Sequence, residues 1–224
     1  MSPQQNKKST ANLPRRPVKA PFFDRDIHVV ARDLLGRDLI RHRGGVVLRA
    51  RIVEVEVYEG PNDAASHASS GVPTARTEPM FGDPGTIYVY TVYGMHQCLN
   101  LRAPSSVGPG AILIRACRPL QGKAYMALAR GLVDAIEDYD DDESMQRNLM
   151  SGPAKLCQAL TIDTDFSGTS IGDELSLAEG EAILKAEPTR IKATARIGLN
   201  KKTCGECTER PWRYVVADSK WASR

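Results

Sequence analysis

The stretch RIVEVEVYEG, residues 51–60, alternates valine with other side chains in the pattern of a β-strand. Regular alternation places three valines on one face of this strand and Ile52, Glu54, Glu56 and Tyr58 on the other. The valine face predicts a hydrophobic core on one side of a sheet. The opposite face is unusual because glutamate is a poor strand former. That face is therefore either solvated or part of a site that uses a carboxylate.

A helix and a hairpin are predicted around this stretch. The segment DRDIHVVARDLLG predicts a helix that Asp24 or Asp26 caps and Gly36 ends, with an apolar stripe at helical spacing. The segment DLIRH, the turn RGG and the run VVLRARIVEVEVY predict a hairpin of long strands. The two glutamates then belong to the second strand of that hairpin.

Further strands are predicted after a long loop. Residues 59–85 are rich in Gly, Pro, Ser, Asp and Thr and predict a loop of a length that is uncommon unless it is functional or mobile. The segments TIYVYTVYG, HQCLNLR and GAILIRA predict three strands, with a tight turn at Gly94-Met95 between the first two. Short strands are also expected near 184–187 and 212–217.

Helices are predicted over 120–131 and over SGPAKLCQAL, where Pro153 falls in the first turn. The second helix either packs its apolar side chains onto the sheet, which is the favoured interpretation, or offers first-turn amides to a phosphate. No repeat or break in composition divides residues 22–224. We therefore predict an α+β fold, a single mixed domain around a mainly antiparallel sheet with a protruding β-hairpin.

The charge is unevenly distributed along the chain. The net charge is +3, but residues 1–21 contain only basic charged residues and residues 132–143 only acidic ones. The remainder is mildly basic, which is compatible with a phosphate-bearing partner. Residues 1–21 hold several prolines and few apolar residues, so we expect a disordered basic tail. It is either a solvated tail or an arm that adds DNA affinity or serves as a nuclear address.

The five cysteines are an odd number, which argues against a disulfide framework. Cys98, Cys117 and Cys157 stand among apolar residues and are expected to be buried. The motif TCGEC, with Cys204 and Cys207, supplies only half of the four ligands that structural zinc requires. Free thiols in a surface turn are therefore favoured, and no metal site is expected.

Aromatic side chains cluster in the strands that follow Glu56. Tyr58, Tyr88 and Tyr90 lie in predicted strands, where tyrosine is usually half-buried packing. Tyr93 falls where the alternation ends, so its ring is expected at the tip of a hairpin. His67 lies in the loop directly after the glutamate strand. The last two positions are harder to explain as packing alone.

Four segments together carry a family resemblance. RIVEVEVYEGPNDAASH, MFGDPGTIYVYTVYGMHQCLN, AILIRACRPL and SGPAKLCQAL resemble, in this order and spacing, the signature blocks of the alkyladenine (3-methyladenine) DNA glycosylase family. The resemblance extends from about Phe22 to about Trp221. It implies an enzyme that flips alkylated or deaminated purines out of duplex DNA and hydrolyses the N-glycosidic bond.

The resemblance also implies roles for individual residues. Glu56 is implied as the general base that activates water, and Arg115 as the partner that holds this water and the nearby phosphate. Asn100 is implied as the group that excludes normal guanine. The walls of the base pocket are implied to be Tyr58, His67 and Tyr90. The residues implied to contact DNA at the hairpin tip are Tyr93 and Met95.

These implied roles agree with the chemistry of the side chains. A carboxylate can both deprotonate water and stabilise an oxocarbenium-like transition state. Arg115 is permanently charged and would keep a neighbouring glutamate ionised. Glu54 shares the face of Glu56 by strand parity and is expected to make a structural hydrogen bond or ion pair. No lysine in these blocks is placed to form a Schiff base, so water is expected as the nucleophile.

The expected partner is double-stranded DNA that contains damaged purines, and no cofactor is implied. We expect a monomer without membrane association, located in the nucleus, or in the cytoplasm if the source is a bacterium. Two departures from the family pattern concern substrate contacts. His96-Gln97 follows the tip where the family has an aromatic residue, and ASSGVPTARTEP is richer in serine than the family pattern.

Two other functions share single features with this sequence, and one of them is excluded. A nucleic-acid-binding module without catalysis would need a basic sheet but no carboxylate beside phosphate. A glycoside hydrolase built on Glu54 and Glu56 is excluded by geometry, because a sugar must lie between its two carboxylates rather than across neighbours on one strand.

Overall fold

The computed structural model describes residues 18–180 and 190–223. Helices and strands are mixed along the chain, as predicted. The α-helices are α1 (Ile27–Leu34), α2 (Lys123–Ala129), α3 (Glu143–Met150), α4 (Pro153–Leu160) and α5 (Lys201–Cys204). The strands are β1 (Asp38–Arg43), β2 (Val46–Tyr58), β3 (Ile87–Val92), β4 (His96–Ser105), β5 (Gly108–Gln121), β6 (Leu175–Ala178), β7 (Ile191–Thr194) and β8 (Arg213–Val216).

All eight strands in the described ranges belong to one antiparallel sheet. Six of them follow the order β3-β4-β5-β2-β1-β6, while β8 pairs with the second half of β2 and with β7. Strand β2 is therefore central, since β5 runs along one side of it and β1 and β8 share the other. The predicted α+β fold with a mainly antiparallel sheet is confirmed.

The predicted helix and hairpin before Glu56 form for the expected reasons. The Asp26 side chain caps α1 by accepting hydrogen bonds from the amides of His28 and Val29. Gly44 and Gly45 both adopt positive φ, which is the conformation that a two-residue hairpin turn between β1 and β2 requires. These local signals set the start of β2 and the register of its pairing with β1.

The regular alternation predicted for β2 is wrong at its centre. The pairing with β5 shifts register between Ile52 and Glu54 and again between Glu54 and Val55. Because the irregularity changes which face the following residues occupy, Ile52 packs in the main core with Val55 and Val57. Val53 instead joins a small separate cluster with Ala116 and Trp221. The irregularity leaves Glu54 and Glu56 together on the face opposite the core.

The two faces of the sheet have different coverings. Helices α1, α2 and α4 bury their apolar side chains in the main core, and Leu156, Cys157 and Leu160 give α4 the packing role that its sequence favoured. The other face is covered by the loop after β2 and by the segment after β7. Both glutamates on that face are fully buried, which excludes the first of the two alternatives for this face, that it is solvated.

Several predicted boundaries differ from the structure. Val18 donates its amide to Leu177 and packs on the core, so part of the predicted tail 1–21 lies on the folded body. The acidic stretch 132–143 contains a short 3-10 helix, Ile136–Asp138, and leads into α3. The strand expected near 184–187 lies outside the described residues. The strand near 212–217 is confirmed as β8.

No helix in residues 18–180 and 190–223 combines the length and the apolar character needed to cross a membrane.

Candidate active site

Glu56 is a fully buried carboxylate that three donors from different parts of the chain hold in place. Its Oε1 atom accepts a hydrogen bond of 2.7 Å from the amide of Ile197. Its Oε2 atom accepts from the Tyr58 hydroxyl at 2.8 Å and from Nη1 of Arg115 at 3.3 Å. An ionised carboxylate offers about four acceptor positions, so these three described donors leave capacity for a further donor such as water.

Glu54 is also fully buried, but its oxygens are engaged in a denser network. Oε1 accepts from Arg213 at 2.6 Å, from the Ser223 hydroxyl at 2.7 Å and from Arg115 at 3.1 Å. Oε2 accepts from the Ser223 amide at 2.5 Å. These four hydrogen bonds tie β2 to β5, β8 and the C-terminal segment, in agreement with the structural contact that was expected for Glu54.

Arg115 bridges the two carboxylates from the neighbouring strand β5. Its Nε atom donates to Glu54 and its Nη1 atom to Glu56, while the Ser223 hydroxyl lies 3.3 Å from both Nε and Nη2. Burial alone would lower the pKa of Arg115, but the charges of Glu56 and Glu54 outweigh burial and raise it. The guanidinium is therefore a fixed positive charge beside Glu56.

The structure brings Tyr58, His67, Tyr90 and Asn100 around one cavity beside Glu56. Burial, followed by the charge of Glu56, raises the pKa of the Tyr58 hydroxyl, so this group stays protonated and can donate to Glu56. The His67 and Tyr90 rings meet edge to face with centroids 4.5 Å apart. The cavity measures about 20 Å³, room for about one water molecule.

His67 is held by two residues that its sequence position did not reveal. Its Nδ1 atom lies 2.9 Å from the Tyr88 hydroxyl, and its Nε2 atom lies 3.3 Å from Nη2 of Arg76. A guanidinium can only donate, so Nε2 accepts and the proton of the neutral ring lies on Nδ1. Burial, with a smaller contribution from the charge of Arg76, lowers the pKa of His67 to about 4.

The lowered pKa of His67 gives a testable pH dependence. We expect the ring to bind its proton only as the pH falls to about 4, so His67 is neutral at pH 7. A titration of the His67 ring protons by NMR measures this midpoint. An Arg76→Gln variant should raise it because the guanidinium charge is removed. A midpoint at or above the ordinary value of about 6.5 in the unmodified protein would contradict the described contacts.

Asn100 lies on the site face of β4 and is buried. Its amide nitrogen donates to the carbonyls of Tyr88 and Cys98 at 3.1 and 3.2 Å. These two hydrogen bonds use both N–H groups of the side chain and fix its orientation at the cavity wall.

Tyr93 and Met95 lie at the turn between β3 and β4, and both are exposed. The central residues of this turn are Tyr93 and Gly94, which both have positive φ, and Met95 donates its amide to Val92. The turn expected at Gly94-Met95 therefore lies one residue earlier. A positive φ is unusual for tyrosine, and here it places an aromatic ring that is 88% exposed at the hairpin tip.

The structure also places three cysteines and one histidine that have no proposed role. Cys98 is buried as expected, but on the site face, where its thiol interacts with the Tyr90 hydroxyl. Cys207 is buried rather than at the surface, and Cys204 is partly exposed. Within the described ranges, no three side chains of the His, Cys, Asp and Glu types gather in a way that could hold a metal ion. His28 contacts the Tyr214 hydroxyl and Glu59.

Comparisons with known proteins agree with this site. The model of the methylpurine-DNA glycosylase family matches residues 21–220. The DNA-3-methyladenine glycosylase of Mus musculus is 42% identical over 206 residues, which cover 90% of this chain and 60% of the mouse protein. The human protein of that name is 40% identical over 210 residues, covering 90% and 66%. A protein of Clostridium perfringens (strain 13 / Type A) is 39% identical over 204 residues, covering 91% and 97%.

The family match extends over almost all of the described chain. It includes all the site residues described above except Ser223, which follows the matched range. The chain belongs to the methylpurine-DNA glycosylase family and is an enzyme of the DNA glycosylase class, which hydrolyses N-glycosyl bonds.

Proposed function

We propose that the protein is a monofunctional glycosylase that flips alkylated or deaminated purines out of duplex DNA and hydrolyses the N-glycosidic bond with water activated by Glu56. The observation that carries this proposal is the environment of Glu56. A buried carboxylate beside a permanent cation, with acceptor capacity left over, lies at the edge of an aromatic cavity. A protein that only binds nucleic acid gains nothing from such a group.

In the proposed reaction, the water oxygen bonds to the anomeric carbon as the bond to the purine nitrogen breaks. Glu56 accepts the water proton, and the electron pair of the broken bond leaves with the base. The carboxylate also stabilises the positive charge that develops on the sugar. Arg115 lies beside Glu56 and offers a fixed positive charge near the scissile nucleotide. The product is an abasic site, and no cofactor is required.

Selectivity for damaged purines would arise in two steps. Extruding a base costs a few kcal/mol, and this cost is smallest for damaged or mispaired bases. The aromatic walls formed by Tyr58, His67 and Tyr90 suit a flat purine, and a cationic alkylated purine gains additional attraction to an aromatic face. Asn100 is fixed at the cavity wall by its hydrogen bonds to two backbone carbonyls, so its side chain does not turn aside and would crowd the exocyclic amine of guanine.

Tyr93 is proposed to occupy the gap that the flipped nucleotide leaves in the duplex. Its exposed ring would offset part of the unstacking cost, as apolar side chains do in other proteins that enter the minor groove. We expect Tyr93→Ala to slow single-turnover excision by about 10-fold, equivalent to ~1.4 kcal/mol of lost stabilisation. Thr91→Ala, an exposed substitution on the same hairpin, is the control and should leave the rate unchanged. Equal rates for Tyr93→Ala and the control would remove Tyr93 from this role.

The proposed function is tested with a duplex oligonucleotide that carries one hypoxanthine, and then with one that carries an alkylated purine. Alkali-sensitive strand breaks at the lesion are the expected result. Binding without breaks on both substrates would instead support a nucleic-acid-binding module. Binding should also weaken by at least about 10-fold when the salt concentration rises from about 50 to 200 mM, because phosphate contacts release counterions.

A further inference from the structure

A second buried ion pair lies next to the residues that donate hydrogen bonds to the proposed catalytic carboxylate. Arg196, in the segment after β7, donates from Nη1 and Nη2 to the two oxygens of Asp63 at 2.5 and 2.8 Å. Neither side chain is exposed to solvent. Asp63 lies at the start of the loop that carries His67. The pair therefore joins two chain segments that cover the site face of the sheet.

Arg196 has further contacts that reach strand β2 and the C-terminal segment. Its Nη1 atom also donates to the carbonyl of Val57 at 2.9 Å, and its Nη2 atom to the carbonyl of Cys207 at 3.0 Å. Its guanidinium lies 4.7 Å from the centre of the Tyr58 ring and 5.2 Å from that of Trp212. One side chain thus fixes the backbone between Glu56 and Tyr58 and supports the Tyr58 ring.

Two of the three described donors to Glu56 depend on this arrangement. The Tyr58 hydroxyl donates to Oε2, and the Tyr58 ring is packed against the guanidinium of Arg196. The amide of Ile197 donates to Oε1 and directly follows Arg196 in the chain. A displacement of Arg196 would move both donors at once, whereas Arg115 reaches Glu56 from the opposite direction on β5.

We propose that Arg196 and Asp63 are positioning residues for the glycosylase reaction, which orient the Glu56 carboxylate through Tyr58 and Ile197 without touching the substrate. This inference rests on the proposed function of Glu56. It assigns a role to two residues that had no predicted one, and it explains why a buried ion pair, which contributes little to stability over an apolar pair, lies at this position.

Charge as well as geometry links the pair to Glu56. The titratable and charged side chains that face Glu56 from the elements packed around it are Glu54, Tyr58, Cys98, Arg115, Arg196 and Arg213. Asp63 offsets the charge of Arg196. Removing the charge of Asp63 therefore leaves a net positive charge near Glu56, and removing the charge of Arg196 leaves a net negative one. These two changes have opposite effects on the protonation of Glu56, which a buried ion pair far from Glu56 would not have.

The test compares Asp63→Asn, Arg196→Met and Arg196→Lys with the unmodified protein. Two quantities are measured: the pH midpoint of the Glu56 carboxyl carbon by NMR and the single-turnover excision of hypoxanthine. We expect the midpoint to fall in Asp63→Asn and to rise in Arg196→Met, because the charge left near Glu56 is positive in the first variant and negative in the second. Arg196→Lys keeps the charge but not the forked hydrogen bonds, so it should leave the midpoint in place. All three should slow excision by about 10-fold or more.

The control is Asp38→Asn, which removes the charge of another fully buried carboxylate, one that pairs with Arg49 and Arg51 between β1 and β2. It should lower the temperature of unfolding but change neither the midpoint nor the excision rate.

Midpoints that move in the same direction in Asp63→Asn and Arg196→Met, or that do not move, would overturn the inference. If Arg196→Met does not fold, the midpoint in Asp63→Asn is compared with that in Arg196→Lys. A midpoint that falls in the first variant and not in the second supports the inference, and equal midpoints overturn it. Absence of excision by the unmodified protein would contradict the proposed function, while the NMR midpoints would still decide whether the pair orients Glu56.

Discussion

A Glu56→Gln variant is expected to bind hypoxanthine-containing duplex as tightly as the unmodified protein while its single-turnover excision falls by about 10² to 10⁴-fold. General-base catalysis contributes an acceleration of that size. Glutamine keeps the shape of the side chain and can still accept from Tyr58 or Ile197, so the pocket should be preserved. It cannot remove a proton from water. The measurement is rapid-quench excision with a separate binding titration.

Glu54→Gln is the matched control for that variant, since Glu54 is equally buried on the same strand. Its oxygens accept four hydrogen bonds from Arg115, Arg213 and Ser223, so its loss should reduce the free energy of unfolding more than the rate of excision. A larger loss of excision in Glu54→Gln than in Glu56→Gln would transfer the base function to Glu54.

Replacing Arg115 by methionine is expected to destabilise the fold and to impair catalysis together. The substitution leaves two buried carboxylates without their shared cation, and breaking a buried ion pair typically costs about 3–5 kcal/mol. Glu54 keeps Arg213 as a partner, so we expect a loss near the lower end, ~3 kcal/mol in the free energy of unfolding. Excision should also fall by about 10²-fold because a fixed positive charge beside the reacting centre is lost. Denaturant unfolding and single-turnover excision measure the two effects.

Arg118→Met on the same strand is the control for Arg115→Met. Arg118 is exposed and contacts the Trp221 ring, so its substitution should change the free energy of unfolding by less than about 1 kcal/mol. An Arg115→Met protein that is as stable as the Arg118→Met protein would contradict the described network. A stable Arg115→Met protein with full excision would also remove Arg115 from the proposed mechanism.

Local signals in the sequence were sufficient for much of the fold. Asp26 at the start of an apolar stripe, two glycines between alternating runs and Pro153 after Gly152 each act on their immediate neighbours, so the corresponding helices and turn were predicted close to their positions. Short strands such as β6 and β7 lack such signals. They form because long-range pairing and packing override weak local preference.

The irregular register of β2 could not be read from RIVEVEVYEG. Strand alternation assumes a regular partner, and the shift at Val53 and Glu54 depends on β5 and on the cluster with Trp221, which is 168 positions further along the chain. The parity argument nevertheless placed Glu54 and Glu56 on one face correctly, although the register shifts both before and after Glu54. It placed Ile52 on the wrong face because that residue precedes the first of these two shifts.

Only part of the candidate site could likewise be predicted from the sequence. Side chains in the recognised blocks, such as Glu56, Arg115 and Tyr58, are brought together as predicted. Residues from the C-terminal part of the chain were missed, above all the Ile197 amide and the Ser223 hydroxyl that complete the two carboxylate networks. A backbone donor leaves no trace in a sequence, since every residue but proline has one. Asp63 could have been noticed as an acid four residues before His67, but its partner Arg196 lies 133 residues away.

The measurement that tests the central claim most directly is the single-turnover excision rate of hypoxanthine as a function of pH, for the unmodified protein and for Glu56→Gln. A base must be ionised to act, so the rate of the unmodified protein should fall as the pH is lowered. The residual rate of Glu56→Gln should show no such fall over the same range. A Glu56→Gln protein that keeps both a high rate and the same dependence on acid would show that another group activates the water.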